Sequence, residues 1–275
     1  MLRSTAVAEA ARAIDLPLTE IASIRGDVAH RTLEESDADV LVVVAFGEIL
    51  PDSVLRVPRV APVNLHFSLL PELRGADPVR AAILDGLRET GATTMWMDEG
   101  LDTGDVLLQE RVEVAPDDDS ATLGMRLAEA GGGVLVGTLD ALANGTAERR
   151  PQDESRATIA PKLLAEARRL RWTEDAASLE RRVRALAPEP GAVTVFRGRS
   201  LKVHRAEVAP RKSGAEPGAE PDLEPGTIVS AEDGLLIATG SGSLLLVEVS
   251  PQGKRRMSAA AFARGARLEP GERME

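Results

Sequence analysis

The chain has 275 residues, of which 43% are apolar and 28% are charged. That is enough apolar material for the core of one large domain or of two smaller ones. The absence of cysteine excludes disulfides, thiol nucleophiles and Cys-ligated metal sites, and three histidines are too few for a His-rich metal centre. Six aromatic residues, with no tyrosine, disfavour a protein that recognises nucleic acid by base stacking.

Charge is distributed unevenly along the chain. Residues 1–155 carry 13 Lys and Arg against 28 Asp and Glu, whereas residues 156–275 carry 20 against 16. A net charge of −11 argues against general nucleic-acid binding, but a polyanion could still contact the basic second half alone. The longest apolar run spans residues 40–46, and charged residues interrupt the N-terminal stretch. We therefore expect a cytoplasmic protein without a membrane span.

In the first half, short apolar runs alternate with helical patterns. Helices are predicted at residues 6–13, 27–35, 78–87 and 120–142, with Asp27 and Asp77 as caps of the second and third. Strands are predicted at residues 40–46, 62–66, 92–97 and 106–114. The continuous, β-branched run 40–46 is typical of a strand buried on both faces. This alternation predicts an α/β domain with a largely parallel sheet.

The second half has a different pattern. A polar stretch broken by prolines predicts a linker at 148–165, between one domain at 1–147 and another at 166–275. A helix is predicted at 173–187 with Thr173 as its cap, and short strands at 192–196, 201–208, 227–230, 235–239 and 243–249. Short strands with Gly-rich turns favour a small barrel. The segment 209–225, rich in Pro and Gly, is predicted to be a mobile loop within it.

The sequence Asn64-Leu65-His66 ends one of the predicted strands. Because side chains alternate along a strand, Asn64 and His66 should share a face, at the end where open α/β sheets bind ligands. An amide can stabilise a developing oxyanion and an imidazole can transfer protons, so the pair suits acyl chemistry. The alternative is a strand-end histidine that is hydrogen-bonded to backbone.

An acidic loop with glycines, residues 98–105, follows the next predicted strand. Functional residues concentrate in such loops, and a carboxylate there could reach and orient His66. A solvated acidic turn is one alternative. A calcium loop is another, although the spacing lacks the terminal glutamate and the flanking helices of an EF-hand.

Taken together, residues 63–78 and 95–105 resemble the N10-formyltetrahydrofolate-dependent formyltransferases. The signature of that family is N-x-H-x-S-L-L-P, followed further along by a loop that ends L-D-x-G. The resemblance implies a Rossmann-like formyltransferase domain, 10-formyltetrahydrofolate as the formyl donor and no metal. It also implies that Asn64, His66 and Asp102 are the catalytic residues.

The same resemblance implies a folate site. The segment 45–51 resembles the loop that cradles the pterin in that family. The implied folate-binding residues are Phe46, Gly47, Glu48, Ile49, Leu50, Ser68, Leu69, Leu70, Pro71 and Asp98. Glu72 and Asp77 depart from the usual pattern and add negative charge near the expected substrate entrance.

Segments 185–192 and 253–262 resemble the C-terminal, OB-like barrel of family members that formylate methionyl-tRNA. This implies initiator methionyl-tRNA as a partner, formylation of its α-amine for translation initiation, and a monomeric enzyme. From the density of basic residues, tRNA contacts are predicted at Arg168, Arg169, Arg171, Lys254, Arg255 and Arg256. A solvated basic turn is the alternative for the cluster at 254–256.

Two other functions remain open from the sequence. One is a paralogue that acts on an amino sugar or another small amine, and the other is a non-catalytic remnant that binds RNA or folate. Members of the family begin with a strand, a G-T-P-x-F loop and a helix ahead of the position of Met1. We therefore expect an N-terminally truncated reading of a longer gene, with an edge of the 40–46 strand or of its neighbour exposed and the product unstable or inactive.

Overall fold

The first half of the chain folds into a four-stranded sheet with helices packed against it. The computed structural model describes residues 5–21, 23–210 and 223–275. The helices of this half are α1 (Ala6–Ala13), α2 (Asp27–Glu35), α3 (Asp52–Leu55), α4 (Pro78–Leu84) and α5 (Ser120–Ala143). The strands are β1 (Val40–Val44), β2 (Ala61–His66), β3 (Glu89–Trp96) and β4 (Val106–Glu113). Every helix and strand predicted in this half is confirmed, with shifts at the ends, and α3 is additional.

The sheet has the order β1-β2-β3-β4. The parallel arrangement that we expected is found in the β1–β2 pair, whereas β2–β3 and β3–β4 are antiparallel. β3 and β4 are joined by the short loop 97–105, which can only return the chain antiparallel because a parallel connection needs a longer crossover.

β1 is an edge strand in the described sheet. It pairs with β2 on one side, and no described strand pairs with it on the other. Leu41 and Val43 pack on a cluster with Val54 and Leu55 of α3, but the strand as a whole is only half-buried and Val44 is exposed. The prediction of burial on both faces is therefore wrong, because the described elements cover the faces of this strand only in part.

Helix α5 packs on β3 and β4. Asp119 and Thr122 form a capping box at its start. Midway along the helix, Gly131 lies close to Leu65, where a Cβ would stand 3.0 Å from the leucine side chain. Of the helices described, none is both long and apolar enough to cross a membrane.

Two helix starts differ from the prediction. α2 has Gly26 as its N-cap, and Asp27 is the first helical residue. The helix predicted from Thr173 begins later, because the carboxylate of Asp175 accepts a hydrogen bond from the Ser178 amide at 2.9 Å and caps the helix there.

The described part of the second half contains two α-helices and an antiparallel sheet. Its helices are α6 (Ala176–Leu186) and α7 (Ala259–Ala266). Its strands are β5 (Ala192–Phe196), β6 (Arg199–Val208), β7 (Ile228–Ser230), β8 (Leu235–Ala238), β9 (Ser243–Pro251) and β10 (Met257–Ser258). The order is β5-β6-β9-β8-β7, with β10 paired to β9, and every pair is antiparallel. An α/β domain followed by an antiparallel β domain is thus confirmed, and the boundaries at 147 and 165 stay predictions.

Between the two sheets, the polar segment runs along the first one. Arg150 forms a bridge with Val106, and Ile159 forms another with Arg74. Ala160 is fully buried. Most of the loop predicted at 209–225 lies outside the described residues.

Candidate active site

A cavity of about 320 Å³ opens where β1 and β2 end. Its walls include Asn64 and His66 from β2, Asp98 and Asp102 from the loop after β3, and the loop 46–50. The volume lies at the lower end of the range of about 300–1,000 Å³ that is usual for small-molecule sites. The two patterns singled out in the sequence therefore meet in one cavity.

His66 is the most enclosed polar group of this cavity, with 6% of its surface exposed. Its Nε2 lies 2.8 Å from the carbonyl oxygen of Leu73. Since a carbonyl only accepts, Nε2 must carry a proton and donate it there. Nδ1 faces Oδ2 of Asp102 at 3.6 Å, which is an ion-pair distance and too long for a hydrogen bond. His66 therefore makes the backbone hydrogen bond that we gave as the alternative to a catalytic role. It also faces the carboxylate of Asp102.

Asp102 connects the parts of the site. Its Oδ2 accepts a hydrogen bond from the Gly75 amide at 2.8 Å, and its Oδ1 lies 3.5 Å from Nδ2 of Asn64. The residue has φ +54°, in the left-handed region that few non-glycine residues adopt. One carboxylate thus faces both Asn64 and His66.

Asp98 shapes the loop before Asp102. Its Oδ1 accepts hydrogen bonds from the Gly100 amide at 3.0 Å and from the Thr103 hydroxyl at 2.7 Å. At Gly104 a Cβ would collide with the carbonyl oxygen of Trp96, so glycine is required there. Within the described residues, no group of three or more acidic or histidine side chains is arranged to hold a metal ion.

The predicted pterin loop forms the opposite wall. Phe46, Gly47, Glu48, Ile49 and Leu50 all line the cavity. Phe46 is 45% exposed and Ile49 is 63% exposed, whereas Leu50 is buried against α3. This wall offers apolar surface that a ligand could cover.

The residues Ser68, Leu69, Leu70 and Pro71 do not line the cavity. The Ser68 hydroxyl donates to the carbonyl oxygen of Glu72, and the Leu70 amide donates to the Thr93 hydroxyl at 3.2 Å. Ser68, Leu70 and Pro71 are buried, and Leu69 packs over Gly91. The structure thus places this segment in the turn between His66 and Leu73, outside the lining of the cavity, and its assignment to the folate site stays a prediction.

Sequence reasoning did not include the start of α4 in the site. Residues 75–79 line the cavity, Asp77 among them. Asp77 occupies the N-cap position but makes no capping hydrogen bond, and it pairs instead with Arg80 at 3.0 Å. The available signal was its charge, which departs from the family pattern.

The predicted tRNA-contacting residues fall into two groups. Arg169, Arg171, Lys254 and Arg255 are exposed. The other two are engaged within the protein, because Arg168 donates to the carbonyl oxygens of Gly191 and Pro190, and Arg256 pairs with Glu248.

Comparison with known proteins defines the class first. Residues 4–139 match the family model described as formyl transferase. Residues 162–267 match the model described as formyl transferase, C-terminal domain. The two matches together cover most of the chain, which therefore belongs to the formyltransferase family.

The relatives that match this chain carry a more specific name than the family does. The methionyl-tRNA formyltransferase of Thiobacillus denitrificans is 43% identical over 274 residues, covering 99% of this chain and 86% of that protein. The methionyl-tRNA formyltransferase of Myxococcus xanthus is 43% identical over 266 residues, covering 96% and 82%. The crystal structure of HypX from Aquifex aeolicus in complex with tetrahydrofolic acid shares the fold, with a TM-score of 0.63 and 20% identity over 86% of this chain and 41% of that one.

Proposed function

We propose that this chain transfers a formyl group from 10-formyltetrahydrofolate to the α-amine of initiator methionyl-tRNA. Relatives that carry the name methionyl-tRNA formyltransferase match nearly the whole chain, across both domains. The observation that carries the chemistry is the meeting of Asn64, His66 and Asp102 in one cavity.

Asn64 acts as the oxyanion donor in this proposal. When an amine attacks a formyl carbon, negative charge develops on the formyl oxygen, and a fixed amide N–H lowers the barrier by donating to it. Asn64 sits on a paired strand, and its Nδ2 is held near Asp102. The amide is therefore oriented before any ligand binds.

His66 accepts and donates the proton through one ring nitrogen in this proposal. Nε2 is bound to the Leu73 carbonyl, which leaves Nδ1 to hold or pass a proton. Asp102 lies beside Nδ1, with its Oδ2 3.6 Å away. The amine that attacks must lose a proton and the departing nitrogen must gain one, so a group of this kind serves both needs.

The cavity fits a folate on its open side. The apolar surfaces of Phe46 and Ile49 and the buried Leu50 suit a flat ring system, and HypX supplies a fold precedent with bound tetrahydrofolic acid. Bound there, the donor supplies the reactive formyl group. We further propose that the chain acts as a monomer in the cytoplasm, where charged initiator tRNA is used.

The deciding experiment measures formyl transfer from 10-formyltetrahydrofolate to methionyl-tRNA, with a free amino sugar nucleotide as the competing acceptor. We expect turnover with methionyl-tRNA only. Turnover restricted to the amino sugar would overturn the tRNA assignment, and folate binding without turnover on either acceptor would overturn the enzymatic one.

A further inference from the structure

The loop that carries Asp102 is held by a side chain from the segment after α5. Nε2 of Gln152 lies 2.8 Å from the carbonyl oxygen of Asp102 and 2.7 Å from that of Gly104. Carbonyl oxygens only accept, so both contacts use the two N–H groups of the carboxamide. Gln152 therefore ties down the backbone of Asp102 itself.

Arg74 fixes the orientation of this carboxamide. Its Nε and Nη2 lie 3.1 and 2.8 Å from Oε1 of Gln152. A guanidinium only donates, so the amide oxygen must face Arg74 and the NH₂ group must face the loop. A flip of the Gln152 amide would place donor against donor at one end and acceptor against acceptor at the other.

Arg74 is itself a fixed anchor. It is 4% exposed, and Nη1 and Nη2 bind the two carboxylate oxygens of Glu154 at 2.9 and 2.7 Å. This fork geometry leaves little freedom to the guanidinium. The hydrogen bonds to Glu154 hold the pKa of Arg74 above its usual value although burial acts to lower it, and Asp102 and Asp98 add to the rise.

The loop conformation needs such an anchor. Asp102 has φ +54°, which costs free energy for a residue with a side chain and persists only where neighbours impose it. The neighbour of Arg74, Gly75, binds the Asp102 carboxylate, while Arg74 acts on its backbone through Gln152. The consecutive residues Arg74 and Gly75 thus hold the backbone and the carboxylate of Asp102, the first of them through Gln152.

We propose that Gln152 is a positioning residue for formyl transfer. It holds the Asp102 backbone so that the carboxylate lies between Asn64 and His66. The inference rests on the proposed function to the extent that Asp102 takes part in the chemistry. Gln152 does not line the cavity, so its effect on the chemistry passes through the loop that carries Asp102.

The test is a double-mutant cycle between Gln152 and Asp102. Gln152→Met keeps the length of the side chain and removes its hydrogen bonds. We expect it to lower kcat about 10–100-fold, the range seen when a hydrogen bond that orients a metal ligand is removed. KM for the folate should change little. In an Asp102→Ala background the same substitution should cost almost nothing more, because the carboxylate that Gln152 positions is gone.

Gln152→Glu keeps the acceptor for Arg74 and sets a carboxylate against two carbonyl oxygens, so it should lower kcat at least as much. Arg149→Met is the matched control. Arg149 binds Asp105 in the same loop at 2.9 Å, but on the surface, and its removal should leave kcat near that of the parent. Unfolding temperatures of all variants separate kinetic effects from folding.

Unchanged kcat in Gln152→Met would overturn the inference, and so would an equal further decrease in the Asp102→Ala background. The failure of the proposed function looks different, since the parent would then show no formyl transfer to methionyl-tRNA. Full activity of Asp102→Ala would refute the part that Asp102 takes in the chemistry. A decrease of kcat in Arg149→Met as large as that in Gln152→Met would also count against a specific role for Gln152.

Discussion

The two walls of the cavity are built in different ways. On one wall His66 and Arg74 are almost completely buried, and hydrogen bonds from Gly75 and Gln152 fix Asp102. On the other wall Phe46 and Ile49 expose about half of their surface. Groups that need positions accurate to a fraction of an ångström lie on the braced wall. The open wall supplies apolar area whose contacts form only when a ligand arrives.

The largest effect should follow from breaking the braced wall. His66→Ala removes the proton-bearing ring, Asn64→Ala removes the oxyanion donor, and Asp102→Ala removes the carboxylate that faces both. Each should lower kcat by about a hundredfold or more, as the loss of an oxyanion donor or an acid–base group does. Single-turnover formylation of methionyl-tRNA measures this step directly.

His30→Ala is the control for that series. His30 is partly exposed on α2 and contacts Glu34 at 3.4 Å, away from the cavity. Its removal should leave kcat unchanged. Near-normal turnover of the His66 variant would refute the catalytic assignment.

Truncation of the open wall should act on binding rather than on chemistry. Phe46→Ala with Ile49→Ala removes surface that a folate would cover, at about 25 cal/mol per Å² of buried apolar area. We expect KM for the folate to rise about tenfold, since burial of a few tens of Å² by each side chain is enough. The kcat should fall far less than in the His66 variant.

Met125→Ala serves as the comparison, because this exposed methionine of α5 lies outside the cavity. It should not alter KM. If kcat fell more than KM rose in the double variant, the distinction between a chemical wall and a binding wall would fail.

The sequence patterns predicted the residues of the braced wall but not the residues that hold them in place. Asn64 and His66 were recognisable because strand alternation puts them on one face, and Asp102 because it follows a strand in a glycine-bearing loop. Arg74 and Gln152 lie far apart in the chain and are joined only by tertiary contacts. No local period or spacing reports such a contact, so their role was invisible.

The wrong prediction of burial at 40–46 has the same origin. This run is as β-branched and apolar as a central strand, but its burial depends on what packs on its two faces. Ser68 and Leu70, which the resemblance assigns to the folate site, lie outside the cavity lining, and hydrogen bonds to Glu72 and Thr93 hold them in a turn. The composition of a segment indicates which secondary structure it can form. Its burial depends on the tertiary contacts that it makes.

A smaller effect is expected at the basic surface of the second domain. Lys254 and Arg255 are exposed, whereas Arg256 already pairs with Glu248. Lys254→Gln with Arg255→Gln should weaken tRNA binding several-fold. The salt slope should fall by about 0.7–0.9 for each phosphate that the protein no longer neutralises. Arg256→Gln should do less, because its charge is already compensated.

Filter binding of methionyl-tRNA over a range of salt concentrations measures both quantities. Arg31→Gln, an exposed arginine on α2, controls for the change in net charge. Folate KM should be the same in all these variants. An unchanged salt slope in the Lys254 and Arg255 variant would show that this cluster does not contact tRNA.

The smallest expected effect is on the pH dependence of stability, which we expect to change without a change in activity. His204 in β6 is partly buried, and its Nε2 lies 2.8 Å from the Ser250 hydroxyl. Burial lowers the pKa of His204, and Arg256 and Lys202 lower it further, against the opposing effect of Glu248 and Glu189.

The folded state therefore binds the His204 proton less readily than the unfolded state does. Its contribution to stability is complete above the unfolded-state pKa of about 6.5 and is lost as the pH falls through that value towards the lowered folded pKa. The unfolding temperature should thus decrease on acidification from pH 7.5 to about 5.

His204→Gln keeps a polar partner for Ser250 and should make that decrease smaller, by a few degrees at most. Because His204 lies in the second domain, kcat measured at pH 7.5 should match the parent, whereas His66→Ala loses activity at every pH. An identical decrease in the His204 variant would assign the acid sensitivity to other groups.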